Sequence, residues 1–274
     1  MNLMGSDQAE SLRRLLAPRV TRRIAVVGAD SGAGTTTVAL GLANALSMQG
    51  ERVLLVDEDQ HGARATRLAG ATPTATLADV LGERVPFGAA LGTRPASGIA
   101  VLPAGQTPAG GVPDERALTA LLPDMRSVLV DARRDKSGAL SSLAGTAHNF
   151  VIVMRPEATS ITAAYACIKR LHHEYACRQF QLVVNMAVTE GTVTALARNL
   201  ARTASQYLGV EAGLAGYLPM DPLVARALQL GRCVVEAYPA APATGALRHI
   251  ASRIGAWPLR HEALPLGAAS AVPA

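Results

Sequence analysis

The sequence predicts an α/β fold, a mostly parallel β-sheet flanked by helices, and three observations carry that prediction. Seven short apolar runs recur along the 274 residues, apolar at consecutive positions as strands buried on both faces are. Helical stretches separate most of these runs, an alternation that favours parallel pairing through crossovers. With 49% hydrophobic residues the chain can bury one large core, so a single domain is expected instead of two small ones.

Residues 1–22 precede the first run and read as a separate arm. Asp7 suits a helix N-cap, with Glu10 three residues later, and Ala9, Leu12, Leu15 and Leu16 then form one apolar stripe that Pro18 ends. Strands are expected at 24–27, 53–56, 99–102, 128–130, 150–154, 182–184 and 214–218, where apolar runs meet turn residues. Helices are clearest at 36–48, 114–122, 160–175, 192–207 and 222–230. The folded domain is therefore placed at 23–258. Residues 259–274, rich in Pro, Gly and Ala, read as a disordered tail.

Composition excludes several function classes. The net charge of +5 is almost all arginine, since Lys136 and Lys169 are the only lysines, and the arginines are dispersed. Dispersed cations and 3% aromatics give no strong nucleic-acid signal, which needs a clustered basic face and bases stacked on rings. Cys167, Cys177 and Cys233 show no C-x-x-C spacing and suit reduced thiols of a cytoplasmic protein. No run approaches the roughly 18 apolar residues of a membrane span, so a soluble protein is expected. His172 and His173 lack carboxylate partners at metal-ligand spacing, and no Ser/His/Asp or Cys/His arrangement stands out.

The chemistry concentrates at strand ends. The run 24–27 enters a glycine-bearing turn and then an apolar helix, the context of a phosphate-cradling P-loop. Against G-x-x-x-x-G-K-[ST], Ala29 replaces the first glycine, Gly34 holds the second, Thr35 replaces the lysine and Thr36 keeps the hydroxyl that would ligate magnesium. Gly32, Gly34, Thr35, Thr36 and Thr37 are thus the candidate phosphate-binding residues. A P-loop lysine makes charge-assisted hydrogen bonds worth roughly 1.5–3 kcal/mol each, and Thr35 offers only a neutral hydroxyl. Asp30 adds a carboxylate, and like charges ~4 Å apart repel by roughly 4 kcal/mol at an effective dielectric of 20. Backbone N–H groups and the helix N-terminus still favour an anion, so ATP and magnesium are expected to bind, but weakly.

Three acids stand at two strand ends. Asp57 and Asp59 follow the second run, where ligands of open α/β sheets bind. In a nucleotide enzyme Asp57 would serve magnesium and Asp59 would orient the attacking water; the alternative is that Asp57 stabilises a loop and Asp59 is simply exposed. Asp131 follows the fourth run as a Walker B aspartate does and would contact the magnesium shell. Arg133, Arg134 and Lys136 come directly after. One of them could reach back to the phosphates and partly replace the lysine; the other reading is an exposed basic loop.

With strand, degenerate loop, paired aspartates and Walker B aspartate in this order, the chain resembles the MinD/ParA group of deviant P-loop ATPases, whose motif reads roughly K-G-G-x-G-K-T. Asp30 stands at that motif's signature lysine, Ser31 at the next glycine and Thr35 at the second lysine. Within the group the text is similar to the flagellar-number regulators FlhG and FleN: Thr76-Leu-Ala-Asp-Val80, Thr159-Ser-Ile-Thr-Ala-Ala-Tyr165, Leu182-Val-Val-Asn-Met186, Val235-Glu-Ala-Tyr-Pro239 and Trp257-Pro258. The most specific piece is Asp7-Gln8-Ala9-Glu10-Ser11-Leu12-Arg13, which matches a D-Q-A-x-x-L-R arm.

The resemblance implies that Asp7, Gln8, Ala9, Leu12 and Arg13 bind an FlhF-like SRP-type GTPase and stimulate its hydrolysis. It also implies that Asn185, Pro219 and Asp221 recognise adenine. Further partners would be flagellar transcriptional regulators or switch-complex proteins and, with nucleotide, a second copy; recruitment to the cell pole would follow from the GTPase. Two departures stand out: Asp131-Ala-Arg-Arg replaces the family's D-T-x-A-G switch, which weighs against γ-phosphate-coupled dimerisation and hydrolysis, and the amphipathic membrane helix common at the family's C-terminus is replaced by a segment broken at Pro265, which weighs against ATP-dependent membrane attachment. The expected function is a FlhG/FleN-like regulator with an impaired ATPase site. The alternatives are an active ATP-hydrolysing spatial regulator and a ParA-like DNA partitioning factor.

Overall fold

Consecutive apolar residues on a strand must bury both faces, and the central strands of this protein's sheet do so. A computed structural model describes residues 21–92, 98–106, 118, 120–122 and 125–260. The strands are β1 (Arg22–Gly28), β2 (Val53–Asp57), β3 (Ala100–Pro103), β4 (Ser127–Ala132), β5 (Asn149–Met154), β6 (Gln179–Ala187) and β7 (Glu211–Pro219). They form one sheet in the order β3-β2-β4-β1-β5-β6-β7, with every pairing parallel. Each of the seven strands expected from the sequence is present.

Alternate side chains go to opposite faces, as the strand period of two requires. Ala25 and Val27 join the core that also holds Val128, Val130, Phe150 and Ile152, under the helices α6 (Ala158–Tyr175) and α7 (Glu190–Leu208). Ile24 and Val26 join the opposite core, under α1 (Thr35–Met48) and α10 (Pro242–Ile254). α1 and α10 approach closely: a β-carbon on Gly41 would stand 2.6 Å from Leu247 Cδ1, so a larger residue there would have to displace the Leu247 side chain.

The remaining helices are α2 (Arg64–Leu68), α3 (Leu77–Leu81), α4 (Phe87–Ala90), α5 (Ser142–Gly145), α8 (Pro222–Gln229) and α9 (Val234–Ala237). Most are four or five residues long, too short to show a helical period in sequence. α10 is different. Its buried stripe of Ala243, Leu247, Ile250, Ala251 and Ile254 is helical in spacing, but Thr244 and Gly245 in its first turn dilute the signal. The helix expected at 114–122 falls mostly outside the described residues, as does the arm with Asp7, Gln8, Ala9, Leu12 and Arg13. Packing continues to Arg260, two residues past the expected end of the domain: its guanidinium stacks 5.6 Å over the Phe150 ring, and its Nη2 donates to Gly145 O at 3.3 Å.

β1 is central, flanked by β4 and β5, and the chain leaves it for β2 on one side while β5, β6 and β7 extend the sheet on the other. The carboxyl ends of β1, β2 and β4 therefore meet at one rim, the rim at which ligands of open parallel sheets bind.

Candidate functional site

β1 ends at Gly28, and the loop 29–34 turns directly into α1. Ala29 N–H donates to Val153 O at 2.8 Å, extending the β1–β5 ladder by one bond, and Val38 N–H donates to Gly34 O at 3.0 Å, opening the helix. Between these ties Gly32 and Gly34 sit at φ +82° and +85°, where a side chain would be strained. Asn185, on β6, braces the loop: its Nδ2 donates to Ala33 O at 2.9 Å and its Oδ1 accepts from Met186 N at 3.0 Å. The result is a fixed backbone cradle at the N-terminus of a 14-residue helix, a shape and dipole that suit a phosphate. The cradle has no lysine of its own.

The expectation of a bare carboxylate beside the phosphates is corrected. Asp30 Oδ2 pairs with Arg155 Nη2 at 3.2 Å, and Asp30 Oδ1 accepts from Ser160 Oγ at 3.2 Å. Of the basic residues after β4, Arg134 does reach the loop, but through carbonyls: its Nη2 donates to Gly28 O at 3.1 Å and Ala29 O at 3.0 Å. Arg133 lies 3.6 Å from Asp59 Oδ1. Thr35, at the lysine position, turns its Oγ1 to within 2.3 Å of where a Gly28 β-carbon would stand.

Thr36 and Asp131 are brought together. The Thr36 hydroxyl donates to the Asp131 carboxylate, which burial pushes up to about 7 against the pull of Thr36 and Arg133 and with the push of Asp57 and Glu58. A cation would reverse that balance, and these are the residues of this chain placed to hold a magnesium shell. Asp57 pairs in register with Asp131 across β2 and β4. Its carboxylate turns to the loop: Oδ2 accepts from Thr66 N at 2.8 Å and Thr66 Oγ1 at 2.9 Å, and Oδ1 from Asp59 N at 3.0 Å. Asp59 Oδ1 in turn accepts from His61 N at 3.4 Å.

The two ends of the expected adenine contact differ. Asn185 lies against the cradle, whereas Asp221 caps α8, accepting from Leu223 N at 2.9 Å, and ties it to α10 by accepting from Ala243 N at 3.1 Å. Pro219 ends β7 beside Ala187 at the end of β6.

Four residues at the rim were not among the site residues expected from the sequence: Arg155, Ser160, Glu58 and Ser141. Glu58 is buried and accepts from Arg133 N at 3.0 Å and from the Ser141 hydroxyl; burial raises its pKa against both bonds. With Leu77, Leu81, Arg133 and Leu140 it lines a pocket of about 490 Å³ beside the loop, on the β2–β4 side. The one signal for Arg155 is its place directly after an apolar run, at the end of a strand.

The family model for the CobQ/CobB/MinD/ParA nucleotide binding domain matches residues 24–234, from within β1 to the start of α9. The chain belongs to that family. A curated member, the antiactivator FleN of Pseudomonas aeruginosa, is 32% identical over 244 residues, 86% of this chain and 87% of FleN. Solved structures similar to this family member include the cell division ATPase MinD of Pyrococcus furiosus (TM-score 0.67, 20% identity, 86% of this chain and 99% of that one). The septum site-determining protein MinD of Pyrococcus horikoshii, solved with Mg-ADP, gives TM-score 0.67 at 20% identity, covering 85% and 95%. Family membership accords with the cradle that β1, the loop 29–34 and α1 form.

Proposed function

We propose that the protein is a FleN/FlhG-like regulator of flagellar number and placement that works as a binding protein on an FlhF-type SRP GTPase and carries a weakened ATP site. The 32% identity to the antiactivator FleN over nearly the whole chain carries this reading. The arm motif Asp7-Gln8-Ala9-Glu10-Ser11-Leu12-Arg13 points to the GTPase as the partner. A short helix with one apolar stripe and a polar Gln8 suits insertion into a partner groove, where it would orient a water. An antiactivator works by holding an activator, so a flagellar transcriptional regulator is the second partner class, engaged by the folded domain. Recruitment to the pole follows from the GTPase.

In the nucleotide site the cradle at Gly32 and Gly34 would hold phosphates, Thr36 and Asp131 a magnesium shell, and Asn185 would stand beside the base. Bound Mg-ATP would supply the affinity that joins two copies. What the site lacks is lysine at 30 and 35, and that is the ground for the weakened affinity.

The test is GTP hydrolysis by a purified FlhF-type GTPase with and without the full chain. Stimulation that disappears in Gln8→Ala is the expected result; a natural chain that leaves hydrolysis unchanged sinks the proposal. Calorimetry of Mg-ATP on the natural protein and on the Thr35→Lys, Asp30→Lys double variant tests the weakened site, with tighter binding expected in the variant. One observation favours a second reading, the ATP-hydrolysing spatial regulator: Thr36 still meets Asp131. Micromolar Mg-ATP binding with magnesium-dependent turnover by the natural protein would establish it.

A further inference from the structure

Arg155 leaves β5 two residues after Val153, whose carbonyl binds Ala29 N–H, so its side chain emerges level with the first turn of the phosphate loop. The guanidinium lies between two carboxylates, 3.2 Å from Asp30 Oδ2 and 3.4 Å from Glu157 Oε1. Its Nε is buried and has no hydrogen-bond partner. Ser160, fully buried in the first turn of α6, holds the arrangement from behind by donating to Asp30 Oδ1 and accepting Arg155 N–H at 2.9 Å.

We propose that Arg155 is the cation this loop offers to a polyphosphate, and that Asp30 is its resident counterion, which the incoming phosphate must displace. The inference rests on the nucleotide site of the proposed function and adds how that site is regulated. Three features support it. Arg155 is the one guanidinium seen paired to a loop side chain rather than to loop carbonyls among the described residues. Displacing Asp30 would free the Nη2 edge of a planar fork, the donor geometry that suits phosphate oxygens. Asp30 is an intramolecular anion held against the same guanidinium, so it competes with any ligand anion and lowers apparent affinity without closing the cradle. An arginine recruited from the neighbouring strand thereby takes up part of the role that Thr35 cannot fill.

The experiment is calorimetry of Mg-ADP and of inorganic pyrophosphate, which share a diphosphate and differ in the nucleoside, on the natural full chain, Asp30→Asn, and Asp30→Asn with Arg155→Gln. Asn keeps the size of Asp30 and an acceptor for Ser160, and thermal melting confirms that each variant is folded. Asp30→Asn is expected to bind both probes at least about tenfold more tightly, about 1.4 kcal/mol, and the double variant to lose that gain. Tighter binding of Mg-ADP than of pyrophosphate then marks a nucleotide as the ligand; equal binding marks a free polyphosphate. The proposal is overturned if Asp30→Asn leaves both affinities unchanged or unmeasurable. It is overturned as well if the double variant keeps the gain, or if the gain appears with Mg-ADP alone. The regulatory reading assigns GTPase stimulation to residues 7–13 and is tested by GTP hydrolysis instead of phosphate binding, so failure of this proposal is distinguishable from failure of that reading.

Discussion

Gly34 lies so close to Asn185 that a β-carbon on the glycine would stand 2.1 Å from the asparagine Nδ2. The same amide donates to Ala33 O, so the loop and the end of β6 are fitted to each other through one hydrogen bond and one missing side chain. Gly34→Ala meets two costs: a left-handed φ of +85°, about 1–2 kcal/mol for a non-glycine residue, and displacement of Asn185. A total loss of about 2–3 kcal/mol is expected in urea unfolding. Asn185→Ala alone should lose about 1 kcal/mol, one hydrogen bond. The double variant should be less destabilised than the sum, because the clash disappears with the asparagine. Strict additivity would show that the two residues do not share this space.

Asp131 gives the protein a stability slope with the opposite sign to that of a salt-bridged acid. Its folded pKa, about 7, is above the ordinary carboxylate value, so between roughly pH 4 and 7 the folded state binds more protons than the unfolded one. Stability attributable to this group is therefore present at low pH, falls as pH rises through that window, and is flat above it. Asp131→Asn should reduce the slope to what Glu58, also raised by burial, contributes, stabilising at pH 8 and leaving stability near pH 4 almost unchanged. Chemical denaturation at a series of pH values checks this; a variant as pH-dependent as the natural protein would place the slope elsewhere.

The three thiols are expected to be unreactive while the protein is folded. Burial pushes Cys167 and Cys177 up to about 11 and Cys233 up to about 12, and thiolate is the reactive form. At pH 7.5 iodoacetamide should label none of them in minutes and all three after denaturation, read by mass spectrometry. Rapid native labelling of Cys177 would mean that the Arg260 contact at 2.9 Å opens readily.

The strands were legible because each holds a short apolar run stopped by turn residues, and its short length and flanking turns favour a strand over a buried helix segment. The site was legible only where chain neighbours make it. The loop, the acid ending β2 and the acid ending β4 follow from local order. Whether a strand-end acid serves a metal or a loop does not: Asp57 is committed by Thr66, nine residues on. Asp30 read as a repulsive charge because its partner lies 125 residues away, and only the adjacency of β1 and β5 brings Arg155 to it. Arg133 and Arg134 are neighbours in sequence, yet one faces Asp59 and the other the loop carbonyls. Sequence placed the charges at the rim and not their pairs.

Thr35 offers the most direct test of what the loop has lost. It is the first residue of α1, and its side chain folds back toward Gly28, whose β-carbon, if present, would stand 2.3 Å from Thr35 Oγ1. A longer side chain leaving the same position would run along the inside of the loop, over the backbone that Gly32 and Gly34 shape. Thr35→Lys should therefore raise Mg-ATP affinity by roughly tenfold to a hundredfold, because one charge-assisted hydrogen bond to phosphate contributes about 1.5–3 kcal/mol. Without nucleotide the same variant should be slightly less stable, since its ammonium joins Arg134 near the loop with no new anion. Thr35→Met separates charge from length: it fills the same channel and carries no cation, so calorimetry should find no gain. Equal affinities for the Lys and Met variants would show that the loop lacks filling and not charge, and a missing cation could then no longer explain weak binding.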